Sequence, residues 1–116
     1  MLVSHGSQFR GFDAPLKKIK RILLKTGPPQ QILLAYLEIN SPSISDAIDR
    51  CVKQGASQIK ILPYFVLGGS HVKTHIPQIV LKAQRKYRGK AKIILCPYLG
   101  FHKKIADVVK ERLECR

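Results

Sequence analysis

Four short apolar runs alternate along this chain with four stretches whose apolar residues recur at helical spacing. That alternation restricts the fold more than any other feature. The runs are "MLVS" at residues 1–4, "QILLAYLE" at 31–38, "QIKILPYFVL" at 58–67 and "AKIILCPYL" at 91–99. Each is too short for a core helix and continuous enough for a strand buried on both faces. Between them come Leu16, Ile19, Ile22 and Leu23, then Ile44, Ala47, Ile48, Cys51 and Val52, then Ile76, Ile79, Val80 and Ala83. Ile105, Val108, Val109 and Leu113 close the series. Spacings of three and four place each set on one helical stripe. The order β-α-β-α-β-α-β-α predicts an α/β three-layer sandwich, a small four-stranded parallel sheet with helices on both faces and right-handed crossovers. So small a sheet has edges to protect, and pairing with a second copy is one way to protect them.

Local punctuation supports these limits. Asp13 and Pro15 read as the cap and first turn of the first helix, and Gly27, Pro28 and Pro29 as its stop. Ser41 and Pro42 read as the opening of the second helix, Gly55 as its end, and Thr74 as the cap of the third. Pro63 lies awkwardly within a strand pattern, because proline donates no ladder hydrogen bond. With 116 residues and no repeat, low-complexity stretch or linker, the chain reads as one domain, residues 1–116. No apolar run approaches the roughly 20 residues of a membrane helix. The opening "MLVSHGSQFR" lacks the basic and apolar regions of a secretory signal.

The three cysteines, Cys51, Cys96 and Cys115, have neither metal-knuckle nor redox spacing, and their number is odd. A reduced, cytoplasmic compartment is the simplest setting, with Cys51 and Cys96 in the core and Cys115 a free thiol near the end. Charge is the unusual quantity. Lys and Arg total 21 against 7 acids, a net +14. That balance favours a polyanionic partner: nucleic acid, an anionic membrane, or a small molecule rich in carboxylates or phosphates.

In an open parallel sheet, ligands bind beyond the carboxyl ends of the strands. The first strand ends at Ser4, His5, Gly6 and Ser7, the second at Glu38. The third runs into Gly68, Gly69, Ser70 and His71, and the fourth ends near Tyr98, Gly100 and His102. Imidazoles and a carboxylate therefore gather at one rim from distant parts of the chain. They are ligand types for divalent iron, cobalt, nickel or zinc, and imidazole also takes protons near neutrality. Two histidines and an acid, with positions left open, suit an ion held briefly for delivery. Plainer readings exist for each. A histidine in a turn is commonly a hydrogen-bonded loop residue, and "HGS" could be a phosphate-binding turn. Glu38 could pair with a lysine, His75 and His102 are of a type that starts helices in solvent, and Gly68 and Gly69 could simply make a turn. The Lys17, Lys18, Lys20 and Arg21 run reads as a solvated helix face.

At these residues the chain resembles a known family. "LVSHGS", "AYLEINSPSISDAI" (35–48), "ILPYFVLGGSHVKTHIP" (61–77) and "CPYLGFH" (96–102) are similar, in order and spacing, to the short CbiX/SirB-type sirohydrochlorin chelatases. The resemblance runs nearly end to end. It implies a lyase that inserts cobalt, ferrous iron or nickel into sirohydrochlorin on the cobalamin, sirohaem or coenzyme F430 route. No organic cofactor is implied. Carried over by position, His5 and His71 are metal ligands and proton acceptors, and Glu38 an assisting acid. Ser7, Arg10, Gly68, Gly69, Ser70, Lys73 and His75 then face the substrate, with Lys103 and Lys104 near the rim. Short members pair as homodimers. Two departures stand out: the family usually has an acid where this chain has His75, and it usually has several residues ahead of "LVSHGS". Sirohydrochlorin is a flat, carboxylate-rimmed macrocycle, and a strongly cationic protein would steer it.

Three competing functions are weighed against this one. A tetrapyrrole or metal carrier would share the pocket without turnover. A nucleic-acid-binding domain would account for the charge, but the aromatics do not interleave with the basic residues. A phosphate-binding α/β module lacks its glycine signatures, GxGxxG and GxxxxGK[ST].

Overall fold

The computed structural model describes residues 1–27 and 31–116. It has four strands and four helices: β1 (Leu2–Ser4), α1 (Ala14–Thr26), β2 (Leu34–Tyr36), α2 (Ile44–Lys53), β3 (Gln58–Pro63), α3 (Ile76–Lys86), β4 (Lys92–Leu95) and α4 (Lys103–Leu113). One turn of π-helix, His71–His75, leads into α3. The strands form one parallel sheet in the order β2-β1-β3-β4, with Leu2 opposite both Leu34 and Leu62, and Ile59 opposite Ile93. The α/β fold with its four-stranded parallel sheet is the one that the alternation of runs predicts.

The strands are shorter than the apolar runs. The second run spans eight residues, yet only Leu34–Tyr36 pair, because β1 is three residues long and a ladder extends only as far as its partner. Pro63 loses its awkwardness for a related reason. Leu62 and Tyr64 donate their N–H groups to Met1 and Val3 on the β1 side. The donor missing from Pro63 therefore faces β4, whose pairing stops at Leu95 opposite Ile61.

The helix starts also differ from the sequence reading. Asp13 occupies the N-cap position of α1 with Pro15 in the first turn, but its carboxylate makes no cap bond. It accepts a hydrogen bond from Tyr36 Oη instead. Ser43, not Ser41, caps α2, its Oγ accepting from Asp46 N at 3.1 Å. Thr74 caps nothing and lies inside the π-helical turn. Gly27 follows α1 in an extended conformation, and Pro28 and Pro29 lie outside the described residues. Gly55 adopts φ +94° just past α2, a conformation that favours glycine.

Two apolar clusters flank the sheet. On one face, Ile44, Ala47, Ile48 and Val52 of α2 and Ile76, Val80 and Ala83 of α3 pack on Val3, Ala35, Ile59, Ile61 and Ile93. On the other, Leu16 of α1 packs on Leu2 and Ile32, with Ile19, Leu34 and Leu62 around them. Cys51 is half-buried and packs against the α2–α3 cluster, Cys96 is half-buried, and Cys115 is exposed. The fourth helix departs most from its amphipathic pattern. Ile105 is half-buried, Val108, Val109 and Leu113 are exposed, and α4 has no buried residue among those described.

Candidate functional site

The first three β-to-α connections meet at the carboxyl rim. His5 follows β1, Glu38 follows β2, and His71 opens the π-helical turn before α3. The anchoring is strong on the α3 side, since Ile76 at the end of that turn is fully buried. His5 Nε2 lies 2.7 Å from Glu38 Oε1, and both side chains are partly exposed. The rings of His5 and His71 are 4.8 Å apart, centre to centre, at 57°. His71 Nδ1 lies 2.9 Å from His75 Nδ1, and those rings are 5.0 Å apart. A row thus runs Glu38, His5, His71, His75 across the rim.

The imidazole that completes the row is His75. His102, the other candidate, is the N-cap of α4, where its Nδ1 accepts from Lys104 N at 3.0 Å. Four-residue spacing brings His71 and His75 together within a single helical turn, a proximity the sequence carried in plain view.

Hydrogen-bond bookkeeping fixes where protons sit. A carbonyl only accepts, so His5 Nδ1, 3.1 Å from Gly6 O, is a donor. One proton also lies between His5 Nε2 and Glu38 Oε1, and one between the two Nδ1 atoms of His71 and His75. A nitrogen must give up its proton before it binds a cation, so ion and proton compete for the same atoms. Among the described residues, no three His, Cys, Asp or Glu donors converge on one point suited to an ion. The rim offers pairs of donors instead.

The backbone here is tightly constrained. A Cβ on Gly6, at φ +107°, would stand 1.9 Å from Glu38 O. Only glycine lets the two loops approach so closely. Glu38 N donates to His5 O at 3.0 Å, and Asn40 Oδ1 accepts from Ser7 N at 2.7 Å. Ile39, between them, adopts φ +72°, which is rare for a β-branched residue. The sequence reading missed both Asn40 and Ile39. The turn-forming string "EINSP" signals a loop, but no local rule says that its amide reaches across to Ser7.

The remaining candidates fall in two places. Ser7 and Arg10 line a cleft of about 520 Å³ beside the row, together with Lys17, Tyr36 and Asn40. Lys73 Nζ sits 5.1 Å from the centre of the Tyr98 ring. Gly68 and Gly69 differ. A Cβ on Gly68 would stand 2.7 Å from Tyr98 Oη, so the tyrosine fills that space, whereas Gly69 faces nothing within 4 Å. Gly69 O accepts from Val72 N and Lys73 N and so starts the turn that carries His71, while Ser70 holds its N-cap position without a side-chain cap bond. Lys103 and Lys104 are exposed at the start of α4.

An open parallel sheet with imidazole and carboxylate gathered at its carboxyl rim defines a doubly wound α/β protein with its polar cluster where such folds place their sites. The family follows from comparison with known proteins. The CbiX family model matches residues 1–115, and the chain belongs to that family. It is 36% identical over 115 residues to the chloroplastic sirohydrochlorin ferrochelatase of Arabidopsis thaliana, covering 98% of this chain and 50% of that protein. It is 32% identical over 114 residues to the sirohydrochlorin cobaltochelatase of Sulfolobus acidocaldarius, covering 98% of this chain and 88% of that one. The chain therefore spans half the length of the first relative and most of the second. The crystal structure of a CbiX protein from Marinobacter aquaeolei VT8 superposes with a TM-score of 0.75 at 26% identity, over 97% of this chain and 92% of that one. Bacillus subtilis SirB in complex with cobalt shares the fold, with a TM-score of 0.85 at 24% identity over 48% of its length. Among the described residues, no helix is long and apolar enough to cross a membrane.

Proposed function

We propose that this chain, as one domain over residues 1–116, inserts a divalent metal ion into sirohydrochlorin. Cobalt, ferrous iron and nickel are the candidate ions, each a substrate rather than a resident cofactor. The observation that carries the reading is the His5 ring, paired with Glu38 at 2.7 Å and lying 4.8 Å from the His71 ring. The curated relatives, named for ferrous iron in one case and cobalt in the other, support it.

Insertion forms metal–nitrogen bonds and releases two pyrrole protons, so the site must present an ion to one face of the ring and accept both protons. His5 and His71 are near enough for one ion to lie about 2.1 Å from a nitrogen of each. Donors from two residues leave coordination positions free, which lets the macrocycle nitrogens displace the protein. The two proton-sharing pairs, His5 with Glu38 and His71 with His75, provide acceptors for the two protons. General-base assistance of this kind contributes about 10²- to 10⁴-fold.

The net charge of +14 draws in the carboxylate-rimmed substrate. Arg10, Lys73 and His75 take its peripheral carboxylates, Ser7 and Ser70 offer hydroxyl and backbone N–H groups, and Gly68 and Gly69 keep the approach low. The protein acts in the cytoplasm as a homodimer and engages neither nucleic acid nor membrane. The test is an absorbance assay of sirohydrochlorin with each ion, with and without protein. His5→Ala abolishes insertion and leaves macrocycle binding intact. Unchanged insertion in that variant refutes the assignment, and binding without turnover in the parent protein makes it a carrier.

A further inference from the structure

Insertion needs an ion in place before the macrocycle arrives, and this chain is poorly charged to attract one. A net +14 repels a free dication at long range, so uptake depends on donors that grip it on contact. Neutral imidazole is such a donor. Four-residue spacing sets His71 and His75 side by side on one turn, their Nδ1 atoms 2.9 Å apart and their ring centres 5.0 Å apart. The space that a shared proton occupies between those nitrogens also suits an ion. Two nitrogens 2.9 Å apart, each about 2.1 Å from an ion, subtend about 87° at it. That is close to the angle between neighbouring ligands of a six-coordinate ion. A tetrahedral ion would need the nitrogens ~3.4 Å apart.

The turn holds the pair ready. Ile76 N donates to His71 O and closes the π-helical turn. Val72 within it is buried, and Ile76 is fully excluded from solvent. Widened turns of this kind recur at functional sites. Lys73, between the two histidines in the chain, is turned toward Tyr98, its Nζ 5.1 Å from the ring centre. His75 is exposed and His71 half-buried, so an ion from solvent meets His75 first and His71 behind it. His71 is also the neighbour of His5, 4.8 Å away ring to ring. We propose that His71 and His75 form a loading site for the divalent ion, chelating it through their Nδ1 atoms before sirohydrochlorin arrives and passing it along His71 to His5. The proton between the two Nδ1 atoms moves to the other nitrogen of its ring as the ion takes its place. The ion then trades His75 for His5 while His71 keeps hold, and His75 is left free for the substrate contacts given to it above. The inference rests on the insertion reading for the ion's destination, not for its binding.

Nickel or cobalt(II), titrated calorimetrically into the full chain with sirohydrochlorin absent, tests it. One ion binds per chain. Binding tightens as salt rises from about 0.05 to about 0.5 M, because repulsion by the net charge is screened. Bound cobalt(II) shows the weak visible bands of a six-coordinate ion. His75→Ala, a change at an exposed side chain, weakens binding at least about tenfold. It also raises the ion concentration needed for half-maximal insertion by more than it lowers the rate at saturating ion. His5→Ala binds the ion as tightly as the parent chain and inserts none. Binding that survives His75→Ala, or that needs His5, overturns the loading pair and leaves the insertion reading standing. Intense tetrahedral bands, or no binding without the macrocycle, overturn the pair in the same way. Ion binding that depends on His75, in a chain that never metallates sirohydrochlorin, overturns insertion and leaves the pair standing.

Discussion

The two faces of the sheet are built to different standards. Under α2 and α3, Val3, Ala35, Ala47, Ile61 and Ile76 are fully excluded from solvent. On the α1 side, Leu2, Leu16 and Ile32 make a small cluster that reaches β3 at Leu62, and beyond it Lys60 and Lys92 are exposed and Ile94 half-buried. The contrast shows where rigidity is needed. The His71–His75 turn runs directly into α3, and β1, whose end carries His5, is held through Val3. The imidazoles thus stand on the framework of the more tightly packed face.

The largest expected effect breaks the contrast from its strong side. Ile61→Ala or Ile76→Ala empties a sealed site and lowers stability by about 2–5 kcal/mol, read as a fall in the melting midpoint. Insertion falls as well in Ile76→Ala, because the π-helical turn loses its anchor. A smaller effect is expected at Gly6, where an added methyl meets Glu38 O at a positive φ. Gly6→Ala costs roughly 1–3 kcal/mol and separates Glu38 from His5, so the insertion rate drops by more than the melting midpoint implies. If the rate is preserved, the closeness of those two loops does not matter to the chemistry.

The Asp13–Tyr36 hydrogen bond sharpens the comparison through pH, because it ties the start of α1 to the end of β2. The Tyr36 hydroxyl holds Asp13 below the ordinary carboxylate range, and burial with the Asp13 contact pushes Tyr36 up to about 12. A carboxylate with a depressed pKa contributes stability above its unfolded value, and that stability is lost as pH falls through the folded value. A phenol with a raised pKa contributes fully below its unfolded value near 10, and that contribution is lost as pH climbs toward 12. Melting midpoints across pH therefore fall at both ends, and Tyr36→Phe flattens the alkaline arm while removing part of the acid one. The smallest effect is expected at Val109→Ala, within about 0.5 kcal/mol when measured at concentrations where single copies prevail. A large loss there would mean that α4 packs on its own body.

The residues that were legible in the sequence and those that were not divide by the range of the forces involved. Leu16, Ile44, Ile48, Ile76 and Val80 lie at buried helical positions because helical periodicity is local and side-chain burial follows it. The gathering of His5, Glu38 and His71 was legible at one remove, since parallel topology sends every β-to-α loop to one rim. The place of His75 beside His71 was legible too, from their four-residue spacing. That His102 gives its ring to a helix cap instead of the row was not. The reach of Asn40 to Ser7 across 33 residues and the left-handed Ile39 were equally invisible.

The sequence by itself determined the order of elements, the parallel sheet and the rim to which the polar groups come, because repeat spacing and chain topology are properties of the string. Only the tertiary structure decided which imidazoles touch, which glycine is indispensable and which helix buries its stripe. Those outcomes turn on ångström-scale contacts between residues far apart in the chain. Helical spacing predicts an apolar face on α3 and α4 alike, and nothing in that spacing says that one finds a sheet to lie on and the other does not.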